Sequence, residues 1–486
     1  MKTKSTVQPV RTPQTRCRAA IGRIDITPPI GIYHRMWGAA MHDQATGVHR
    51  PLEASLLWIE SESGDAKSGY VIISLDHCIL DADETRRIRQ SIAKETGIAA
   101  EQVMVTLTHT HGSGWMSRLR SHLPGGDKIG PYLDKLAVDL TKLAKGVQPS
   151  LEPATIVYGT GKCSLAGFRD FYDAQRDGYV CGFDPNGSAD ETIIAARVVS
   201  SKGKTLATLI NYACHPTTLA WENTLLSPDW IGAMRETIEA NEGGICLFLQ
   251  GASGDLGPRE GYVGDTAVAD RNGRQVGFSA LAALTELPQA GTEFCYAGAV
   301  VSGAILGTWK HQPLSKDDLA KKAAWQWHEW TIDLPYRHDL PTIEQTKRER
   351  EEWTAEEAKA RAAGDTPRLR DCRAEIEQRS RQLTRLELLA PGKSYPLKIT
   401  VGILGDAIWI FTPGELYQKF QIEMRRRFAP RTVLISTNTN DWQPGYIPTA
   451  GTFGYGIYQE IIAATAPGCL ESLIESLSRK LERVLS

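Results

Sequence analysis

One stretch limits the chain more than any other: Val103–Gly114, VMVTLTHTHGSG. Val103 to Leu107 is short, apolar and β-branched, the pattern of a buried strand. It runs into Thr108-His109-Thr110-His111, and Gly112-Ser113-Gly114 breaks the backbone directly afterwards. In an extended chain, side chains two residues apart point to the same side. His109 and His111 are therefore expected to face one direction at the mouth of a strand. Imidazole is the commonest metal ligand and titrates near neutrality. Two such rings are either ligands and catalysts or a pair of hydrogen-bonded structural histidines.

Four further apolar runs end in the same manner. Leu206–Tyr212 leads into Cys214-His215-Pro216, where the proline disfavours a helical His215. Ile245–Leu249 leads into a glycine-rich loop with Asp255, and Ile408–Phe411 into Thr412-Pro413-Gly414-Glu415. Thr432–Ser436 leads into NTNDWQPGYIPT, which carries Tyr446. Ligands in α/β sheets bind beyond the carboxyl ends of the strands. Two or three histidines with one carboxylate form the usual ligand set of a catalytic zinc, whose bound water has its pKa lowered to about 7. The residues alone leave open a metal-dependent hydrolase and an unassigned α/β enzyme or binder.

The rest of the chain sets the class. With 486 residues, 42% hydrophobic, it can bury a large core. A net charge of -2, with both signs interspersed, gives no footprint for nucleic acid. Nine cysteines without CxxC spacing argue against a disulfide framework. No run approaches the ~18–20 apolar residues of a membrane span. The expectation is a soluble, cytoplasmic protein with a mobile tail over residues 1–17. Helices are expected at Ala82–Thr96, Gly130–Leu143, Trp230–Glu242, within Asp265–Glu286, at Glu415–Phe428 and at Leu470–Leu485. Asp229 is placed to cap the third of these. Strands alternate with them, which predicts a mixed α/β fold with a β-sheet core flanked by helices. Residues 315–390, dense in charge and in helix formers, are read as a pair of long surface helices, a solvated insertion.

IGRIDITPP, THTHGSG, NYACHPTT, SPDWIG, LQGASGDLGP, TPGE and GYIPT follow one another in an order that resembles the neutral, non-lysosomal ceramidase family. The resemblance runs from about Ala19 to the C-terminus, outside 315–390, and implies a catalytic domain over 18–486. It implies one zinc ion and a water that cleave an N-acyl amide of a small-molecule or lipid-like substrate. It implies His109, His215, Glu415 and Tyr446 as zinc ligands, and His111 as a general base or positioning group. Arg169, in AGFRDFYD, would polarise the carbonyl, and Tyr455, in FGYGIYQE, would stabilise the oxyanion. Asp255 and Asp229 are expected to order loops around the ligands.

The sequence departs from the family pattern in three places. The family loop near GDVSPN reads Gly254-Asp255-Leu256-Gly257-Pro258-Arg259 here, so no serine nucleophile stands at 257. The chain is expected to lack the family's C-terminal β-sandwich domain. The helices of 315–390 have no counterpart and are a possible homo-oligomer contact. Two alternatives stand beside this reading. One is an amidohydrolase barrel, which also opens with HxH after a strand. The other is a non-catalytic family member that serves as a binding scaffold.

Overall fold

Strand residues alternate between two cores. In Val103–Leu107, Val103 and Val105 pack towards helices, whereas Met104 packs towards a second sheet. In Glu53–Glu60, Leu56 and Trp58 take the first side and Leu57 and Ile59 the second. A strand buried on both faces reads as a continuous apolar run, as these do. The computed structural model describes residues 8–65 and 68–486.

The first sheet has eight strands. In chain order they are β1 (Gln14–Asp25), β2 (Glu53–Glu60), β3 (Tyr70–Leu75), β4 (Val103–Leu107), β5 (Glu152–Lys162), β6 (Thr192–Ser200), β7 (Thr205–Tyr212) and β8 (Ile245–Gln250). Their spatial order is β8-β7-β6-β5-β1-β2-β3-β4. Only the outer pairs β3–β4 and β7–β8 are parallel. The sheet curls until its two ends meet, and the Ser74 hydroxyl of β3 donates to the Phe248 carbonyl of β8 at 2.6 Å. An amidohydrolase barrel is built from parallel strands, so the mostly antiparallel pairing overturns that alternative.

The second sheet is β9 (Trp325–Pro335), β10 (Ser394–Leu404), β11 (Ala407–Phe411) and β12 (Thr432–Ser436), with β11 and β12 parallel. Trp409 and Phe411 of β11 pack against Ala19, Ile59 and Leu209 of the first sheet, while Ile408 and Ile410 face outward into a separate core. Helices α1 (Ala82–Thr96) and α2 (Ile129–Val147) cover one part of the first sheet, and α3 (Trp230–Glu242) and α4 (Thr266–Thr285) another. Two helices, α5 (Ile343–Ala363) and α6 (Thr366–Leu388), form a hairpin. Helices α7 (Lys419–Phe428) and α8 (Cys469–Leu485) cover the outer face of the second sheet. Leu473, Ile474, Leu477 and Leu481 of α8 are buried there, each contributing roughly 1.5–3 kcal/mol of apolar burial.

Three expectations are corrected. Residues 10–17 are no tail: Val10 bridges Phe294, and Gln14–Cys17 open β1 with Gln14, Thr15 and Cys17 buried. Residues 1–7 lie outside the described part. The span 315–390 is only partly helical, because Trp325–Pro335 is β9, paired along its length with β10. Inward-facing Trp330, half-buried, and buried Ile332 and Leu334 at every second position favour a strand over the helix that composition suggested. Trp327 stacks on Tyr70 with ring centroids 3.6 Å apart. Finally, Glu415-Leu416 is a two-residue strand beside Tyr446-Ile447, and the helix begins only at Lys419. All nine cysteines are free thiols, and no helix among the described residues is long and apolar enough to cross a membrane.

Candidate metal centre

The loops that leave β4, β7, β8, β11 and β12 meet at one edge of the two sheets. His109 follows β4 through Thr108, whose hydroxyl donates to Asp76 at 3.1 Å. His109 itself adopts φ 66°, a left-handed conformation uncommon outside glycine. His111 starts a short 3₁₀ turn. The two rings share a cavity through this turn, not through the extended spacing expected from the sequence. His215 follows β7, and its backbone N–H donates to Leu256 at 3.2 Å. Glu415 lies directly opposite Tyr446 in the two-residue parallel ladder. Its N–H donates to the Gly445 carbonyl at 2.8 Å.

Three ligand atoms converge. His109 Nε2 and His215 Nε2 are 3.1 Å apart, and each is 3.2 Å from Glu415 Oε2. The opposite ring nitrogens are both committed: His109 Nδ1 donates to the Cys78 carbonyl at 2.9 Å and His215 Nδ1 to the Ser253 carbonyl at 2.8 Å. A carbonyl only accepts, so each Nδ1 carries the proton and each Nε2 turns a lone pair inward. Metal-bound histidines are oriented in this way. The Tyr446 hydroxyl is 3.3 Å from His215 Nε2 and accepts from Arg169 Nη2 at 2.8 Å. Arg169, 3% exposed, also donates to the Gly254 carbonyl at 2.7 Å.

Electrostatics couples these groups. Burial drives His215 down to about 3, with Arg169 adding to the effect. Burial, followed by His109 and His215, holds His111 well below the ordinary histidine value. Burial opposes the charge on Glu415, but His109 and His215 outweigh it and keep the carboxylate ionised. For His109, burial is outweighed by Cys78 and Glu415, which raise its affinity for a second proton; a cation on Nε2 would take that proton's place. Two inward lone pairs and a buried carboxylate with no hydrogen-bond donor on Oε2 suit a divalent cation. Both nitrogens of His111 lack a partner in the described protein, and its ring lies 5.1 Å from that of His109.

Of the sequence-predicted residues, the structure brings His109, His111, His215, Glu415, Tyr446 and Arg169 together. Tyr455 stays outside: it is 60% exposed and its ring packs on Tyr179. Tyr458, one helical turn further on, lines the cavity in its place, its ring 6.0 Å from that of Tyr446. The sequence reading takes Tyr455 alone; the short helix at Tyr458–Ile462 brings the later tyrosine of FGYGIYQE to the cavity. Asp255 orders a loop, accepting from the Gln418 N–H at 2.8 Å and from its side chain at 3.0 Å. Asp229 caps α3 by accepting from the Trp230 N–H at 2.7 Å. His34 and His77 also stand back, on the Gly112 carbonyl and the Tyr132 hydroxyl. A Cβ at Gly257 would lie 3.7 Å from Thr217 Oγ1 and 3.8 Å from Arg169 Cδ, beside the centre.

A cavity of about 430 Å³ opens from the centre. Trp37, Trp221, Tyr262 and Ile462 supply its apolar lining. One wall was not foreseen. Helix α6, expected to be solvated, contributes Arg381 and Arg385 both to this cavity and to the narrow pocket at His109 and Glu415.

The family model for neutral/alkaline non-lysosomal ceramidase, N-terminal, matches residues 18–261. Solved structures of similar fold include a neutral ceramidase from Pseudomonas aeruginosa and a ceramidase complexed with C2. Each is 15% identical with a TM-score of 0.62, and each alignment covers 96% of this chain and 74% of the other. No curated protein matches the sequence.

Proposed function

The chain belongs to the neutral/alkaline non-lysosomal ceramidase family, and from that premise we propose that it is a zinc-dependent hydrolase of N-acyl amides. One observation carries the reading: His109 Nε2, His215 Nε2 and Glu415 Oε2 lie 3.1–3.2 Å from one another, with both Nδ1 atoms tied to carbonyls. These three groups and the Tyr446 hydroxyl would hold one zinc ion. When bound, zinc supplies Lewis acidity and a water that ionises near pH ~7. His111, with two free nitrogens and a pKa held low, accepts a proton from the attacking water and returns it to the leaving amine. Arg169, which already holds the Tyr446 hydroxyl and the Gly254 carbonyl, and Tyr458 on the cavity wall would stabilise the charge that develops on the carbonyl oxygen. Trp37, Trp221 and Tyr262 take up the acyl chain. Gly257 removes any serine nucleophile from this position, so water is the attacking group.

The test is metal content by mass spectrometry together with hydrolysis of a medium-chain N-acyl amide. About one zinc per chain is expected in the wild type, lost along with turnover in His215→Ala. Full zinc content and rate in that variant would overturn the site; no zinc in the wild type after supplementation would leave a binding scaffold.

A further inference from the structure

Among the described residues, Arg385 has no carboxylate partner. It is 7% exposed, and its guanidinium bonds only the Gln382 side-chain oxygen, at 2.8 and 3.2 Å. The carboxylates on the cavity wall are all committed elsewhere. Glu375 pairs with Arg379, and Glu377 with Arg120 and Arg381. Arg169 likewise has no carboxylate within ion-pair distance among the described residues, but it is held beside the ligand cluster by the Tyr446 hydroxyl and the Gly254 carbonyl. Glu415 belongs to the ligand cluster. A buried cation without a counter-charge is costly, and Arg385 sits where a substrate would lie. It lines both the wide aromatic cavity and the narrow pocket, about 50 Å³, that also holds His109, Glu415 and Tyr446.

Resting on the hydrolase reading, we propose that the substrate is an N-acyl amide whose amine portion carries an anionic group, carboxylate or phosphate, bound by Arg385. The aromatic cavity suits the acyl chain, and the narrow pocket suits a short charged head close to the scissile bond. A guanidinium binds either anion through paired N–H donors. The small pocket favours the carboxylate, and with it N-acyl amino acids over neutral N-acyl amino alcohols. Helix α6 thus brings a specificity group to the metal centre.

The experiment compares N-lauroylglycine, N-lauroyl-O-phosphoethanolamine and neutral N-lauroylethanolamine. Binding is measured by calorimetry on the full-length chain with and without added zinc, and hydrolysis is followed on the zinc-loaded protein. One or both anionic amides are expected to bind roughly 10- to 100-fold more tightly than the neutral one, and the favoured anion identifies the head group. Arg385→Met should collapse that ratio to below about 3, and Arg385→Lys, which keeps the charge but loses the fork, should fall between. Arg385→Met should also unfold no earlier than wild type, because it removes an uncompensated buried charge; a merely structural arginine would lower the midpoint. Equal binding of all three amides, or a loss in Arg385→Met that is the same for all three, overturns the proposal. Selective anion binding without hydrolysis of any amide by zinc-loaded protein would uphold the anion site and refute the hydrolase reading instead.

Discussion

Replacing Glu377 by glutamine probes how α6 is held over the cavity. Glu377 is 5% exposed. Arg120 reaches its carboxylate at 2.9 and 3.3 Å, and Arg381 at 2.7 Å. Burial alone would raise its pKa, but Arg381, Arg120 and Arg35 outweigh burial and bring it from 4.5 to about 2. That difference converts to about 3 kcal/mol. Glutamine has the shape of the protonated acid and forfeits about this amount. Breaking a buried pair from one side generally costs ~3–5 kcal/mol, in agreement. Hydrogen exchange of the α6 amides should therefore speed up by roughly 100-fold in Glu377→Gln, with β1 and β2 unchanged. The pH dependence has a definite sign. A depressed carboxylate pKa contributes fully above about 4.5 and is lost as pH falls towards 2. Pepsin should nick the α5–α6 hairpin of the wild type progressively across that window, and the variant throughout it. Exchange within threefold of wild type would refute the tether.

Three further outcomes are expected. Tyr458→Phe should lower kcat by about 10²–10³, whereas Tyr455→Phe should stay within about twofold, both read from steady-state rates on one amide. Asp255, raised by burial to about 7, binds its proton more tightly folded than unfolded. Stability should therefore decline as pH rises from about 4 to about 7, and Asp255→Asn should flatten that slope in urea titrations. Asp76→Asn takes from the buried guanidinium of Arg235 its closer carboxylate and leaves it only Glu53, at 3.3 Å. It should cost about 3–5 kcal/mol in denaturant unfolding, and the added change Arg235→Met should recover part of it.

Much of the fold was legible because caps and burial agree locally. Ala82–Thr96 ends at Gly97 with φ 80°, and Trp230–Glu242 starts at its Asp229 cap; both were read to the residue. The candidate site residues were legible because each follows an apolar run that stops at a polar residue. What failed depends on distant partners. Nothing local in TPGELYQ announces that Glu415 pairs with Tyr446, so the helix was started too early. Trp325–Pro335 carries enough charge to mimic a solvated helix, and only its edge on β10 makes it a strand. Arg385 looks like any surface arginine until α6 is laid across the cavity.

The centre draws two donors from each sheet: His109 and His215 hang from the first, Glu415 and Tyr446 from the second. Neither sheet alone can assemble it. An ion cannot template either half of the chain, because the donors come close only after the sheets have docked and the long intervening loops have closed. It would arrive late and rivet a seam already formed. Chelation should accordingly loosen the junction between the sheets before it unravels either of them.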